Sequence, residues 1–505
     1  MKLSKNTVLS ILTCGMILAS IVSCGGESPA VSSSDNIDKS GTAADAVTEA
    51  ETESPFEADS LPDTLNFGGR TFHFLIGDYA GAYYDDFASE GETGARVNDA
   101  VYHTGKHVEE RLNIQLNFIK ETFDFAGITQ MMTKLSQSVM AEDKAYDLYV
   151  GSNALNLMLS DQYLLNLTEV PYIDFSKPWW NKSQLNMMPG GAVYVASGDG
   201  SLSIIKHTFC IFFNQDQLNK YDVNENLYDT VRDHKWTMDH LRELAMLGYR
   251  DADGDDKRNF DDEYGLTFGD TNKYLSFQFS LGGRCAERTD SGYTILYGNE
   301  RMVNIFEKVN TLVNDTAGVY PGYHNAEHEE HLPTGGGNYA DRIFMEGRAF
   351  FTAGLISDAP VILGNADFGY GVLPYPLYDE NQEDYIATVQ RNAFFSLLAY
   401  ADPELGGAVL EAWSSEAYRT IQPEYFETTL KTRYSSDSDM AQMFDLLRSN
   451  LYLDIFEYFS SSLDYPTSQF RELIVQNTSG GFASMTAKNE KKWQKKLDEI
   501  WEVLK

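Results

Sequence analysis

The sequence is poor in positive charge. It carries 39 Lys and Arg residues against 75 Asp and Glu residues, which gives a formal net charge of −36 at pH 7. A surface this negative repels phosphate groups, so nucleic acid and anionic lipid surfaces are unfavourable partners. The charge balance favours a neutral ligand.

Cysteine is also scarce, with four residues in a chain of 505. Cys14 and Cys24 lie in an N-terminal leader, which leaves Cys210 and Cys285 in the body of the chain. Two cysteines exclude a disulfide framework, and a body of roughly 440 residues can form an apolar core without one. The two remaining thiols are either buried separately or joined in a single bridge.

Several enzyme and repeat patterns are missing. There is no G-x-S-x-G, no H-E-x-x-H, no Walker loop and no 34-residue period of helical repeats. A secreted glycoside hydrolase with two carboxylates is the alternative, but no segment singles out an acid and a nucleophile. His324, His328 and His331 have the spacing of a zinc site on a helix, although Pro333 and the glycines after it favour an exposed loop. We therefore expect a binding protein and not an enzyme.

The N-terminal segment predicts a lipid anchor. Lys2 and Lys5 precede a largely apolar run over residues 8–21, which is short for a membrane-spanning helix and typical of a signal peptide covering residues 1–23. Residues 21–25, IVSCG, resemble the lipobox of bacterial lipoproteins, which implies lipidation of Cys24. Residues 24–65 are rich in Ser, Thr, Ala and acidic residues and predict a disordered tether. The predicted location is the extracellular face of a bacterial membrane.

Residues 251–262, DADGDDKRNFDD, form a dense acidic loop with an EF-hand-like register. The expected Ca²⁺ ligands at positions 1, 3, 5, 7 and 12 are Asp251, Asp253, Asp255, the Lys257 carbonyl and Asp262. Asp256 replaces the usual glycine at position 6, so the turn needs an aspartate with positive φ. A structural calcium ion is predicted, and a solvated acidic turn is the alternative.

Hydrophobic periodicity predicts a mixed α/β body. Strands are expected at 70–76, 114–119, 145–150, 192–196, 207–213 and 367–373, and helices at 98–112, 128–140 and 237–247. Thr237 is the expected cap of the last of these helices. From residue 488 onward one helical face carries Trp493, Leu497, Ile500, Trp501 and Leu504. This face is predicted to cover the core of the body, with a partner-binding surface as the alternative.

Five further segments follow one another in a characteristic order. They are 146–181 (YDLYVGSNALNLMLSDQYLLNLTEVPYIDFSKPWWN), 209–223 (FCIFFNQDQLNKYDV), 235–247 (KWTMDHLRELAML), 344–355 (FMEGRAFFTAGL) and 367–385 (DFGYGVLPYPLYDENQEDY). Together with the lipobox and the acidic loop, they resemble the extracellular solute-binding proteins of bacterial carbohydrate ABC transporters, the family that includes maltose-binding protein. The chain departs from the family pattern at Phe212-Phe213, where tyrosines are usual, and at Asp256.

The resemblance implies a periplasmic-binding-protein-like α/β fold, with two discontinuous lobes joined by hinge strands. The expected crossings lie near 196–202, 344–350 and 390–394, so that lobe 1 comprises 66–199 with 345–393 and lobe 2 comprises 200–344 with 394–505. The implied partners are a carbohydrate ligand, the permease subunits of an ABC transporter and the membrane through the lipid anchor. A monomer is expected. A surface glycan-binding lipoprotein is a further alternative.

Sugar recognition needs aromatic faces and planar polar groups at the cleft between the lobes. The residues expected to bind ligand from lobe 1 and the hinges are Tyr79, Tyr83, Tyr84, Ser152, Asn153, Trp179, Trp180, Asp199, Arg391 and Asn392. Those expected from lobe 2 are Phe268, Asp270, Tyr274 and Gly354. At least one of the two tryptophans is expected to touch the ligand. The alternatives are a tyrosine loop that packs on its neighbours, a Ser152 that only caps a helix, and tryptophans that belong to the core.

Overall fold

The computed structural model describes residues 56–152, 162–322, 339–364, 366–426 and 438–505. The predicted signal peptide, Cys24, most of the tether, Asn153 and the three histidines at 324, 328 and 331 lie outside the described residues. The described end of the predicted tether, residues 56–65, packs on the body, where Asp59 pairs with Arg111 at 2.7 Å and Leu61 is 6% exposed, so the prediction of disorder is wrong for this stretch. Within these ranges, no helix combines the length and the apolar character needed to cross a bilayer.

The strands are β1 (Arg70–Tyr79), β2 (Ile114–Phe123), β3 (Leu148–Gly151), β4 (Phe209–Asn214), β5 (Tyr264–Phe268), β6 (Ala286–Thr289), β7 (Gly292–Ile295), β8 (Val319–Tyr320), β9 (Ala349–Leu355), β10 (Tyr370–Leu373) and β11 (Phe394–Leu397). The helices are α1 (Arg96–Leu112), α2 (Ile128–Ala141), α3 (Ser203–Lys206), α4 (Gln215–Lys220), α5 (Leu227–Arg232), α6 (Met238–Leu247), α7 (Leu275–Ser280), α8 (Glu300–Asn310), α9 (Tyr339–Met345), α10 (Ala359–Ile362), α11 (Pro403–Arg419), α12 (Ile421–Glu424), α13 (Ser438–Ser449), α14 (Ile455–Tyr458), α15 (Pro466–Val475) and α16 (Gly481–Leu504).

The first sheet has the strand order β11-β3-β1-β2. β1, β2 and β3 run parallel, and β11 is antiparallel to β3. Parallel strands covered on both faces carry continuous apolar runs, and residues 74–78 of β1 and all of β3 are buried. Phe74 packs near Trp413 of α11 on one face, while Leu75 shares a core with Leu135 of α2 on the other. We call this sheet with α1, α2 and α11 the first lobe.

The second sheet has the order β10-β4-β9-β5-β8. β5 is parallel to both β8 and β9, whereas β4 is antiparallel to its neighbours β9 and β10. All seven residues of β9 are buried, as expected for the central strand. This sheet and the helices packed on it, including α6, α9 and α13, form the second lobe.

The chain changes sheet in two described segments. Ala196 bridges to Phe395 beside the first sheet, whereas Thr208 bridges to Val389 beside the second. We call residues 197–208 the first crossing segment and residues 388–393 the second crossing segment. A further passage separates α11, which packs on α1, from α13, which packs on β10.

The pairing of the later strands corrects the predicted lobe boundaries. β9 and β10 pair with β4 in the second sheet, and β11 pairs with β3 in the first, so 345–393 does not belong to lobe 1 and β11 and α11 do not belong to lobe 2. Residues 344–350 also do not cross between lobes, because α9 and β9 both pack against β5. An apolar run identifies a buried strand but carries no information on which remote strand it joins.

Local signals account for several elements. Thr237 caps α6 as predicted, its hydroxyl accepting a hydrogen bond from the His240 amide at 3.2 Å. α1 ends at Asn113, which adopts the left-handed conformation with φ 49°. The predicted strand at 192–196 is wrong, because only Ala196 forms a bridge there.

The C-terminal helix α16 is longer than predicted and docks through the predicted face. Trp493, Leu497 and Ile500 are among its buried residues, which confirms a helix that covers the core. Cys210 and Cys285 are both buried free thiols, so the bridged alternative is not formed.

Candidate functional site

The topology places the carboxyl ends of parallel strands from both sheets beside the crossing segments. In the first lobe, β1 ends at Tyr79 and β2 at Phe123. In the second lobe, β5 ends at Phe268 and β9 at Leu355, while the antiparallel β4 begins at the same edge. In open α/β sheets, ligands bind in the crevice outside the carboxyl ends of the strands. This edge is therefore the candidate ligand site.

A polar pocket of about 420 Å³ lies at this edge of the second lobe. It is large enough for a small ligand or for one end of a longer one. We call it the hinge pocket; its lining residues are His207, Asp270, Asn272, Lys273, Asp341, Leu355, Ser357, Asp358, Gln390 and Arg391.

A buried lysine organises the charges of the hinge pocket. The Lys273 side chain is 5% exposed, and its Nζ lies 3.2 Å from Asp358 Oδ2 and 3.8 Å from Asp270 Oδ2. The Leu355 amide donates to Asp358 at 2.7 Å, and the Asn272 amide donates to Asp270 at 2.6 Å. Both carboxylates therefore share the single charge of Lys273 and are held in place by groups of the second lobe itself.

The two crossing segments contribute Arg391 and His207 to the hinge pocket. The Gln390 amide donates to the His207 carbonyl at 2.9 Å, which fixes the backbone next to Arg391. Burial, together with the positive charge of Arg391, lowers the pKa of His207 to about 4. The imidazole is therefore neutral at pH 7, and its Nδ1 has no hydrogen-bond partner among the described residues.

Aromatic side chains of the first lobe continue the site. The Tyr79 ring lies 5.7 Å from the guanidinium of Arg391 and 5.7 Å from the ring of Phe123. Phe125, which is 64% exposed, contacts the ring of Tyr465 at 5.8 Å. We call Tyr79, Phe123, Phe125 and Tyr465 the aromatic wall. Flat apolar rings beside polar groups are what binding a sugar requires.

Three of the predicted residues meet at this site. Tyr79 belongs to the aromatic wall, and Asp270 and Arg391 line the hinge pocket. Asn392 follows Arg391, and its Oδ1 is buried without a hydrogen-bond partner among the described residues.

The two tryptophans expected to contact ligand lie inside the first lobe. Trp179 is 0% exposed and Trp180 is 3% exposed. The Trp180 Nε1 donates to Glu411 Oε2 at 3.1 Å, and burial raises the pKa of Glu411 to about 7 although this hydrogen bond opposes the rise. Neither indole presents a face to a ligand, so the prediction for this pair is wrong.

Asp199 lies on the first crossing segment, as predicted, but its carboxylate is paired with the guanidinium of Arg448 from α13. Burial raises the pKa of Asp199, and the charge of Arg448 opposes that rise. The carboxylate therefore binds a protein cation and not a sugar hydroxyl.

The predicted residues Phe268, Tyr274 and Gly354 of the second lobe lie in its core. Phe268 and Tyr274 are 0% exposed, and their rings contact each other at 4.9 Å. Gly354 faces the Phe212 ring, where an added Cβ would lie 2.7 Å away. These three residues form the core of the second lobe, so their predicted contact with ligand is wrong.

Three predicted residues of the first lobe lie close to the site without facing it. Tyr83 is buried, with its ring edge-on to His207 at a centroid distance of 6.3 Å. The ring of Tyr84 is covered by Lys120 Nζ at 4.7 Å. The Ser152 carbonyl accepts a hydrogen bond from the Tyr149 hydroxyl at 2.8 Å.

Sequence reasoning missed most of the hinge pocket. Asn272 and Lys273 lie between the predicted residues Asp270 and Tyr274, and Asp358 follows the predicted strand that ends at Leu355. Their positions directly after strands could have identified them as site residues. No such signal exists for His207 or Tyr465, because long-range folding brings them to the site.

The acidic loop gathers three carboxylates. One oxygen from each of Asp251, Asp253 and Asp255 lies within 4.8 Å of the other two. Asp256 has φ 59°, as the register requires. Asp262 lies outside this cluster, and its two oxygens accept hydrogen bonds from the Ala252 amide at 3.0 Å and the Asn259 amide at 3.1 Å. The Asp262 carboxylate therefore stabilises the turn by accepting hydrogen bonds from backbone amides of the loop.

No protein-family model matches the chain, and a search of curated proteins finds no match. Solved structures do match. An ABC substrate-binding protein from Listeria monocytogenes, in complex with cycloalternan, is 13% identical with a TM-score of 0.51, covering 85% of this chain and 98% of its own.

Two further structures are equally similar. The GacH receptor of Streptomyces glaucescens, solved without ligand and with acarbose, is 14% identical with a TM-score of 0.52, covering 85% of this chain and 99% of its own. The galacto-N-biose/lacto-N-biose I-binding protein of the ABC transporter from Bifidobacterium longum, in complex with lacto-N-biose, has the same identity and TM-score and covers 85% and 98%. All three are described as binding proteins or receptors. At these identities the similarity establishes the fold, which is the predicted two-lobed solute-binding-protein fold.

Proposed function

We propose that this chain is an extracellular receptor that captures a sugar or oligosaccharide between its lobes and delivers it to the permease of an ABC transporter. The observation that carries the proposal is the juxtaposition of the hinge pocket and the aromatic wall at the carboxyl edges of the two sheets. Proteins with this fold and with sugars as ligands support it.

The chemistry of the site fits a sugar. The aromatic wall offers faces for the C–H patches of sugar rings, and Phe125 is the most exposed of these rings. The hinge pocket offers donors and acceptors from Asn272, Gln390 and Arg391. Ligand contacts from both lobes would favour the closed state and make closure depend on the ligand.

The receptor would be held at the membrane by lipid on Cys24. It would act as a monomer and meet the permease subunits in its ligand-bound state. The strongly negative charge of the chain favours this lipid anchor over direct adhesion to anionic lipid.

Ligand binding without catalysis is favoured over glycoside hydrolysis. A hydrolase needs a carboxyl of raised pKa that faces the substrate. Glu411, Asp86 and Asp454 have raised pKa values because of burial, and each is nearly inaccessible. In the hinge pocket, Asp270 and Asp358 are held by Lys273 as a salt-bridged cluster.

We expect a library of mono- and oligosaccharides to contain members that raise the melting temperature, because a ligand that binds the folded state stabilises it. For such a ligand, Phe125→Ala should weaken binding by about 1–2 kcal/mol through the loss of one stacking face. Calorimetric titration measures this difference.

Met140→Ala is the matched control, since Met140 is a 72% exposed apolar side chain of the same lobe outside the aromatic wall. If the Phe125 variant and wild type bound the ligand with equal affinity, the aromatic wall would not be part of the ligand site. A library without any stabilising sugar would contradict the proposed function, and cleavage products would favour the hydrolase.

We also propose that the acidic loop holds a structural Ca²⁺. Asp251, Asp253 and Asp255 would supply carboxylate oxygens and Lys257 its carbonyl, because hard cations take clustered oxygen ligands. The convergence of three carboxylates within 4.8 Å fits such an ion. Its role would be to fix the turn that leads into β5.

Calcium at a hundred times its dissociation constant should stabilise the fold by about 2.7 kcal/mol, which raises the melting temperature by a few degrees over a chelator control. The double variant Asp251→Asn/Asp253→Asn should lose this shift. Asp261→Asn, an exposed residue of the same loop, should keep it. A wild-type melting temperature that does not change with calcium would contradict the proposed ion and would favour the alternative, a solvated acidic turn.

A further inference from the structure

Arg391 is a charged group of the hinge pocket that forms no ion pair with any residue that the structure describes. Its guanidinium makes no ion pair and donates no side-chain hydrogen bond to any residue in the described ranges, and it lies 5.7 Å from the centre of the Tyr79 ring. The adjacent backbone is fixed by the hydrogen bond from Gln390 to His207. A partly exposed guanidinium in a defined position, without an ion-pair partner among the described residues, is available to a ligand carboxylate.

The carboxylates of the pocket are paired with groups other than Arg391. Asp358 and Asp270 are held by Lys273 and by backbone amides. Asp341, on α9, is buried at the pocket margin and engaged in a contact of its own. The neighbouring imidazole of His207 responds to Arg391, whose charge is the second cause of its lowered pKa after burial. The carboxylates of the pocket are therefore engaged by other groups, and Arg391 forms no ion pair with them.

We propose that the ligand is an acidic sugar, with the carboxylate of a uronic acid residue bound to Arg391. This inference rests on the proposed function and specifies the substrate class of the same site. The planar guanidinium matches a carboxylate through two parallel N–H···O hydrogen bonds, which is stronger and more selective than its bonds to hydroxyls. The sugar ring that carries this carboxylate would lie against Tyr79, at the start of the aromatic wall.

The net negative charge of the chain does not oppose this assignment. At physiological ionic strength the screening length is about 8 Å, so distant surface carboxylates contribute little at the pocket. A ligand carboxylate bound to Arg391 would be in direct contact with the guanidinium, where the Coulomb attraction is strongest.

The test compares matched pairs of oligosaccharides that differ only at C6, such as oligogalacturonides and the same oligomers as neutral methyl esters, together with the glucuronate and mannuronate counterparts. Calorimetric titration of the full chain should give an acid form that binds roughly ten- to hundredfold more tightly than its neutral partner, the value of one charge-assisted bidentate contact. Arg391→Gln should abolish this preference, and the ratio of the two affinities within each pair is the quantity compared between the variant and wild type.

Arg70→Gln is the matched control, because Arg70 lies at the opposite end of β1 and pairs with Asp402. It should keep the preference. If Arg391→Gln does not fold, Arg391→Lys, which retains the charge but not the planar fork, should retain only part of the preference.

Two results would overturn the inference and leave the proposed function in place. They are neutral oligosaccharides that bind as tightly as the acids, and an Arg391→Gln variant with an unchanged preference. Absence of binding by both members of every pair and by the neutral sugar library would overturn both the inference and the proposed function.

Discussion

Arg448→Met should lower the free energy of unfolding by about 3 kcal/mol, because removal of one partner leaves a buried charge uncompensated. Asp199 is 6% exposed and faces Arg448, which reaches the first crossing segment from α13. The Gln422 side-chain amide also donates to the Asp199 carbonyl at 2.9 Å. The pair therefore fixes the segment that joins the two sheets. Urea denaturation of the two proteins measures the difference.

The destabilisation by Arg448→Met should be larger at pH 8 than at pH 5. Burial raises the pKa of Asp199, and loss of Arg448 removes the charge that opposes this rise. A carboxyl whose pKa is higher in the folded than in the unfolded state costs stability as pH rises, since only the unfolded chain gives up its proton readily. Asp199→Asn/Arg448→Met should recover part of the loss.

Arg70→Met is the control for the ion pair between Asp199 and Arg448, which we call the hinge pair. Arg70 and Asp402 form an ion pair with side chains 50% and 36% exposed, and such pairs contribute about 0–1 kcal/mol. If Arg448→Met were no more destabilising than Arg70→Met, or if its effect did not change with pH, the assigned role of the hinge pair would be wrong.

Gly318→Ala should destabilise the second lobe by about 3 kcal/mol or more, since forced overpacking requires the backbone to move. A Cβ at residue 318 would lie 1.7 Å from the Ala245 carbonyl oxygen of α6. The Gly318 carbonyl accepts hydrogen bonds from the amides of Gly265 and Leu266, both at 2.9 Å, so displacement would disturb β5. β5 leads directly to Asp270 and Lys273 of the hinge pocket, and ligand affinity should fall as well.

Gly91→Ala is the matched control for this substitution. A Cβ there meets no heavy atom within 4 Å, and its φ is not in the left-handed region. Its melting temperature should equal that of wild type or exceed it slightly, because alanine restricts the unfolded chain. A similar melting temperature for the two variants would contradict the prediction, because it would show that α6 and β8 can move apart without a loss of stability.

The fold was largely predictable from local pattern. The strand beginning at Arg70, the helix ending at Leu112 and the helix capped by Thr237 were located within a few residues, because periodicity and capping are properties of neighbouring residues. The sheet that each later strand joins was not predictable, since β9 and β11 look alike as short apolar runs. Their pairing with β4 and β3 depends on strands more than a hundred residues away.

The candidate site was predictable only where a side chain follows a strand. Asp270 and Arg391 met that condition, as did Tyr79. The prediction that Trp179 or Trp180 contacts the ligand failed because two aromatic residues next to a proline occur both in protein cores and in binding loops. Only the burial of the side chains distinguishes these two cases. Asp199 failed because its partner, Arg448, lies 249 residues away in the chain.

The strand order of the first sheet has a consequence for synthesis of the chain. β3 is buried at all four positions, yet its neighbour β11 begins only at Phe394. At about 5–20 residues per second, a ribosome needs roughly 10–50 s to make the intervening stretch, and during that time the apolar edge of β3 has no strand beside it. The half of the molecule that begins to form first is therefore completed late, and nascent chains that stop before residue 394 should be the species that chaperones retain and that aggregate.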